Sequence, residues 1–477
     1  MNLTDFFAII PLFILATSII ILILVIAIRR SFLATTMITM FSLALGIISI
    51  PFIWSLAPRQ VTPLVLIDPT SLIFLEIALV ATFFIAWLSF DYVKVKSGRR
   101  EEYFVLLLLA LLGAAILTVS NHFASLLLGL ELLSVALYVL IAYFYTNPLS
   151  IEAGLKYLIL AATSATFLFF GAALIYADTG NLAFSQITAF LTSNQILSPL
   201  FLTGMGMIFV GIGFKLAVVP FHMWSPDIYQ GAPAPVAAFI ATVSKGGVVM
   251  LLLHLIARSL PDQNGLRWTL VLISVASMFF GSLLALLQKN VKRILGYSSI
   301  AHLGYILAAL IASSNMGVSA VLFYFAAYFP TMLAAFGVIG ILSSSDADAD
   351  QLEDFQGLFW RKPGLAVVFT TILLSLAGIP LTAGFISKFF VLSATVGSAA
   401  WLLSISLVLS SAISLYYYLR IITTMFQKVE LEQKTSIQIL PLSGSIVLAG
   451  LTILVFCLGV FPTPLLQMIQ SAISNYF

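Results

Sequence analysis

Charge is what this 477-residue sequence has least of: Asp, Glu, Lys and Arg together make up 8% of it, against about a quarter in an ordinary soluble domain. With 61% of its residues apolar and a mean hydropathy of +1.15, the chain lacks the polar surface that solubility needs. Cysteine is nearly absent as well. The single one, Cys457, excludes an intrachain disulfide framework and a cysteine-ligated iron–sulfur cluster within this chain. No Gly-x-Gly-x-x-Gly follows a strand-like run and there is no P-loop, so neither motif offers a site for a dinucleotide or ATP. Redox chemistry in any assembly falls to other chains. The net charge of +3 gives no case for nucleic acid, and the four histidines, on separate runs, show no metal-ligand spacing.

What the sequence has in quantity is apolar runs of about 20 residues, the length an α-helix needs to cross a hydrocarbon core. A membrane β-barrel would alternate in short segments instead. The runs predict an all-α polytopic membrane protein with about 14 spanning helices, from residues 5–28 to residues 440–462. The first run has neither a basic leader nor a small-residue cleavage site and reads as a retained helix.

Counting basic residues gives an orientation. Loops after odd-numbered runs hold fourteen Lys and Arg; loops after even-numbered runs hold only Arg59, Arg258 and Arg267. That bias places the odd loops in the cytoplasm and both termini on the other side. Of the 21 Lys and Arg, the four left over are Lys156, Lys215, Lys245 and Lys388, all inside apolar runs. No arginine is among them. A charge at bilayer depth is costly, and a buried lysine, unlike arginine, can give up its proton. Four such lysines fit proton handling better than fixed structural charge. Glu131, in the middle of the fifth run (123–145), is the natural partner for Lys215 in the seventh (198–220).

Two runs are interrupted next to a lysine. The seventh meets Pro220 five residues after Lys215, and the twelfth (363–394) carries Gly378, Pro380 and Gly384 just before Lys388. Proline breaks a helix, and broken membrane helices are tolerated where protein or water resolvates the freed backbone. Interruptions five helices apart point to an internally repeated transporter. They divide the chain into 1–102 (helices 1–3), 103–260 (helices 4–8), 261–430 (helices 9–13) and 431–477 (helix 14). The acidic segment 344–357 reads as a solvated surface connection or partner contact.

Beside each functional reading stands a plainer one. Lys215, Lys245 and Glu131 would serve as structural ion pairs fixing helix register, and Lys388 as packing support for its break. Lys156 is four residues from Glu152, the spacing of a local helix salt bridge. His302 sits on an apolar helix where a hydrogen-bonded core role is common, yet its near-neutral titration suits proton passage. His222 and Asp227 stabilise the turn after Pro220 or shape a proton entrance; His254 and Arg258 are explained by solvation at the far end of helix 8, and Tyr416, Tyr417 and Tyr418 by packing near an interface.

The segments FKLAVVPFHMWSPDIYQGAPAPVAAFIATVSK (214–245), GLELLSVALYVL (129–140), LKYLILAATSATFLFFG (155–171) and VKRILGYSSIAHLGYILAAL (291–310) closely resemble the N-type antiporter-like subunit family of proton-pumping NADH:quinone oxidoreductase, respiratory complex I. The resemblance runs from about Glu101 to Lys434, and SPDIYQGAP is its most specific part. It implies fourteen helices with two inverted five-helix repeats and broken helices 7 and 12. It also implies a proton relay of Glu131, Lys215, Lys245, Lys388, Lys156 and His302, with Lys388 facing a neighbouring antiporter-like subunit. No cofactor is expected on this chain; NADH or another donor, flavin, iron–sulfur clusters and quinone are expected on partner subunits, in a bacterial plasma membrane or thylakoid-type membrane with lipid around the chain. Glu76 has no counterpart in the family pattern. The rival classes are a subunit of a secondary sodium/proton antiporter, for which acidic ligands are few, and a passive scaffold, which needs no buried lysines.

Overall fold

The ends of the apolar runs turn them into discrete helices. Side chains of Ser31, Asp68, His122, Asn147, Ser198 and Asn290 each accept a hydrogen bond from a backbone amide of the helix they precede, covering donors that have no intrahelical partner. Proline opens Pro69–Val95, Pro148–Thr179 and Pro199–Leu216, where its missing amide costs nothing. The structure, a computed structural model, describes residues 2–96, 98–193, 197–256, 264–312, 315–344, 347–428 and 442–474; Arg258 and Lys434 lie outside them.

Twelve of the described helices are long and apolar enough to cross a membrane, and Glu102–Thr118, Pro363–Ala377 and Ala383–Gly397 are shorter apolar helices. Among the described residues the chain is all-α, as the runs predict, apart from a small hairpin pairing Arg59–Thr62 with Val65–Ile67.

Long-range contacts sort the connections onto two faces. On one, Arg30 meets Glu101 and Glu102, Lys292 and Lys96 meet Asp348, Asp227 meets Arg293, and Arg420 donates to Leu286 and Gln288. All of these follow odd-numbered runs or flank them. On the other, Asp5 pairs with Arg59, His254 with Asp68, and the Phe184 amide with Asn121 O. The faces are therefore a basic-loop face and its opposite.

Burial sets the layers. Ala234–Leu255 and Val291–Ile311 are buried along nearly their whole length, whereas Ile10–Ile28 buries only five of its 19 residues. The two central helices carry Lys245 and His302. Helices close up where side chains are small: a Cβ on Gly171 would lie 2.6 Å from Gly204 O, so Pro148–Thr179 and Pro199–Leu216 touch backbone to backbone.

Both expected breaks are present. Pro199–Leu216 stops at Ala217, in the left-handed region at φ 58°, and the chain passes Pro220 into a short helix, Trp224–Gly231. Pro363–Ala377 stops at Gly378, φ 87°, and resumes at Ala383–Gly397 after Pro380. A third irregularity was not legible in the sequence. A π-helical turn, Ile240–Ser244, interrupts the central helix immediately before Lys245, a device frequent at functional sites.

The acidic segment departs from its expected reading as solvated. Asp348 folds back, its side chain 10% exposed, and bonds Lys292 at 2.8 Å, while Phe355 is fully buried.

Candidate functional site

Lys215 sits at the last turn before the first break and is 5% exposed. Its Nζ donates to Ser134 Oγ at 2.6 Å, from the helix Phe123–Ile141, and lies 5.5 Å from the Tyr157 ring centroid. Glu131, one turn before Ser134 on the same helix, acts on Lys215 through space. The two are not within ion-pair distance among the described salt bridges, and Glu131 Oε1 is buried without a hydrogen bond. Lys215 therefore bonds Ser134 in place of the expected ion pair with Glu131.

Lys245 is 1% exposed. Its Nζ donates to Ser299 Oγ at 2.9 Å, which also accepts from Tyr229 Oη at 3.2 Å. The ammonium lies 5.2 Å from the Tyr229 ring and 6.0 Å from that of Trp224. Trp224 in turn packs 5.1 Å from Tyr157. An aromatic pair thus separates the two lysines, each facing a ring, an arrangement that favours a cation in a dry site. Trp224 is fixed there by its indole N–H, which donates to Phe214 O at 2.8 Å, a carbonyl at the break that also accepts from Ala217 N at 2.9 Å.

Beyond Ser299 the same helix carries His302, 4% exposed. Its Nδ1 pairs with Tyr324 Oη, its Nε2 lies 3.4 Å from Tyr418 Oη, and its ring lies 5.0 Å from Tyr328 and 5.6 Å from Tyr305. A cavity of about 10 Å³ runs from His302 and Tyr328 to Ser375, Gly384 and Ser387 at the second break, about the room one water needs.

Lys388, 6% exposed, closes the row. Its Nζ donates to Leu376 O, Ala377 O and Ser411 Oγ, each at 2.9 Å, and lies 5.3 Å from the Tyr305 ring. The first two acceptors are the last carbonyls of Pro363–Ala377, where the helix dipole is negative and no amide follows.

The structure brings Lys215, Lys245, His302 and Lys388 into one buried row, with the half-buried Glu131 on the helix at its Lys215 end, and leaves Lys156 outside it. Lys156, its side chain 42% exposed, pairs with Glu152 at 2.6 Å and Asp227 at 2.8 Å; Asp227 also holds Arg293 at 2.7 Å. Burial pushes the Asp227 carboxyl up, but Lys156 and Arg293 outweigh it and hold it below the usual carboxylate range. Asp227 therefore ties the short helix Trp224–Gly231 to its neighbours on the basic-loop face.

Two expectations change. His254 is not solvated: it is 8% exposed, with Nε2 3.1 Å from Oδ2 of the fully buried Asp68. Burial pushes Asp68 up, and His254 with the hydrogen bonds from Thr70 and Ser71 more than reverses it. Of the three consecutive tyrosines, Tyr416 is exposed, but Tyr418 is buried and bonds Ser298. Glu76 lines an apolar cavity of about 350 Å³ with Phe84, Phe329 and Leu454, to which no member of the row contributes. Sequence reading missed Ser134, Tyr157, Trp224, Tyr229, Ser299 and Ser411, because hydroxyls and rings are ordinary in membrane helices. Their signal was only proximity to a lysine in a motif.

A protein-family profile described as NADH:quinone oxidoreductase/Mrp antiporter, TM, matches residues 120–414, the stretch that holds Glu131, Lys215, Lys245, His302 and Lys388. The chain is 45% identical over 478 aligned residues, 98% of it and 96% of the relative, to NADH-quinone oxidoreductase subunit N of Ectopseudomonas mendocina (strain ymp). Among solved structures it is similar to a chain of respiratory complex I from Thermus thermophilus with bound Aureothin (TM-score 0.83, 31% identity, 96% of this chain and 98% of that one). A chain of the Mrp complex from Dietzia sp. DQ12-45-1b shares the fold (TM-score 0.87, 18% identity, 100% and 98% covered).

Proposed function

Because the chain belongs to the subunit N family of NADH-quinone oxidoreductase, the antiporter-like membrane-arm subunits of respiratory complex I, we propose that Glu131, Lys215, Lys245, His302 and Lys388 are its proton relay. The observation that carries this is what holds each lysine. Lys215, Lys245 and Lys388 are bonded to hydroxyls and carbonyls and faced by rings, while the described carboxylate-paired lysines, such as Lys156 and Lys292, lie at the basic-loop face. A neutral partner solvates an ammonium without requiring the charge to stay, so the proton can leave without stranding a buried anion.

The sequence of events follows from the spacing. Redox energy released in other subunits changes the charge at one end, and Glu131 moves toward or away from the Ser134–Lys215 contact. When the carboxylate withdraws, Lys215 loses its stabilising anion and passes its proton toward Lys245. A change of roughly 1 to 3 pK units for an ionisable group near an opposite charge is worth a few kcal/mol, enough to drive the step. Water bridges the gaps, past Trp224 to Lys245 and through the small cavity beside His302 to Lys388. Lys388, at the break, hands over to a neighbouring antiporter-like subunit. Donor, flavin, iron–sulfur clusters and quinone belong to partner chains, and residues 103–260 and 261–430 form the two repeats. Lys156 serves the Asp227 network at the mouth of the relay.

A secondary sodium/proton antiporter subunit would use the same lysines. The full-length 45% identity to a subunit N, against 18% to the Mrp chain, favours the first reading. Donor-driven proton pumping in vesicles carrying Lys215→Ala or Lys245→Ala tests it. Assembled complex that no longer pumps is expected; wild-type pumping in both would make these lysines structural charges.

A further inference from the structure

A second polar cavity, of about 110 Å³, opens among the loops of the basic-loop face. Its wall includes Lys96, Thr146, Ser150, Lys292, Asp348 and Asp350, and it has room for several waters. Asp348 is its centre: Oδ1 accepts from Tyr92 Oη at 2.6 Å and Oδ2 from Lys292 Nζ at 2.8 Å, with Lys96 Nζ 3.6 Å away. Lys292 is 1% exposed and also donates to Ala232 O at 2.7 Å.

Lys292 stands on the helix that carries Ser299 and His302. Lys292, Gly296 and Ser299, at i, i+4 and i+7, share one face of it, and seven residues at 1.5 Å each span about 10 Å. Tyr229 packs against this face at Gly296, where a Cβ would lie 3.4 Å from Tyr229 Cγ and 3.3 Å from Pro226 Cα. The Tyr229 hydroxyl reaches Ser299, and Ser299 holds Lys245. One helix face therefore leads from the charged chamber, past a single aromatic ring, to the central lysine.

We propose that the Asp348 chamber is the port through which Lys245 exchanges protons with water on the basic-loop face, with Tyr229, packed at Gly296, standing between the Lys292 end of the helix face and Ser299. This rests on Lys245 being a relay member. Lys292 and Asp348 keep the chamber charged and wet, and Tyr229 passes the proton to Ser299 and Lys245 only when its ring shifts over Gly296. A clamp that merely joins loops would need no cavity beside it.

The test plugs the chamber without touching its charges. In the whole complex, Thr146→Cys is made in a Cys457→Ser background, labelled with a bulky methanethiosulfonate reagent, and reconstituted into proteoliposomes; Ala347→Cys, also on the wall, is the second site. Donor-driven pumping is read before labelling, after it, and after dithiothreitol, always relative to the Cys457→Ser parent treated alike. Expected is a loss of at least about fivefold at either position that reduction restores. Full pumping by complex shown by mass to be labelled at both positions overturns the port. Lys245→Ala in the same assay separates the two ideas: its inactivity with an unaffected labelled chamber sinks the port alone, and its full activity sinks the relay on which the port rests.

Discussion

The Lys215 ammonium bonds the Ser134 hydroxyl at 2.6 Å and leaves Glu131, one turn back on the same helix, without a hydrogen bond at Oε1. A carboxylate next to a lysine but not on it is free to move, and the serine keeps the lysine in place while it does. Ser134→Ala removes a hydrogen bond to a charged group, worth about 1.5 to 3 kcal/mol. Donor-driven pumping should fall by roughly tenfold in assembled complex, with Ser134→Thr restoring most of it. Unchanged rates in Ser134→Ala would remove the serine from the relay.

Lys388 has two jobs that substitutions separate. Arginine at 388 keeps a cation on the Leu376 and Ala377 carbonyls but does not release its proton. Lys388→Arg is expected to assemble on a native gel and to lose pumping. Lys388→Ala leaves the Leu376 carbonyl without its side-chain donor, while Ala377 O keeps Ser411 Oγ, and should also lower the melting temperature of the purified complex, in line with about 1 to 3 kcal/mol for an orphaned buried group.

Lys156 predicts the opposite. Exposed ion pairs contribute about 0 to 1 kcal/mol, and its partners Glu152 and Asp227 are at the surface. Lys156→Gln should keep pumping within about twofold of wild type, since the lost pair is of that small size. A loss as deep as that of Lys215→Ala would return Lys156 to the relay.

Acid should loosen the basic-loop face through Asp227 and Asp348. Burial raises both carboxyls, but Lys156 and Arg293 at Asp227, and Lys292, Tyr92 and Lys96 at Asp348, bring each below the ordinary value of 3.8. A folded-state value below the unfolded one gives stability that is present above about pH 4 and lost as pH falls through the depressed value. Melting curves of the detergent-purified complex between pH 6 and pH 3 should show that acid loss reduced in Asp348→Asn, which has no charge to protonate. The variant is also expected to be less stable at neutral pH.

The charge that the sequence is short of marked the site well, because a lysine in an apolar run is visible by contrast. Lys215, Lys245 and Lys388 were legible for that reason, and so were the breaks at Pro220 and Gly378. Lys156 was legible as a lysine but not as a surface one, since the apolar run Pro148–Thr179 extends past the membrane-buried core and hydropathy does not say which turn leaves it. Asp348 in an acidic loop looked solvated because charge runs usually are; its partners Lys96 and Lys292 come from positions far off in the chain.

Composition and spacing alone determined that the chain is helical, membrane-spanning, twice broken and supplied with buried lysines, because lipid forbids unsatisfied backbone and unpaired charge in any arrangement. Only the tertiary structure decided that Ser134 is the group Lys215 bonds, that Tyr157 and Trp224 divide two lysines, and that Lys388 covers the end of its own broken helix. Those relations depend on which helices are neighbours and how each is rotated. Packing fixes both, and a hydroxyl or a ring carries no sign in the sequence of what it faces.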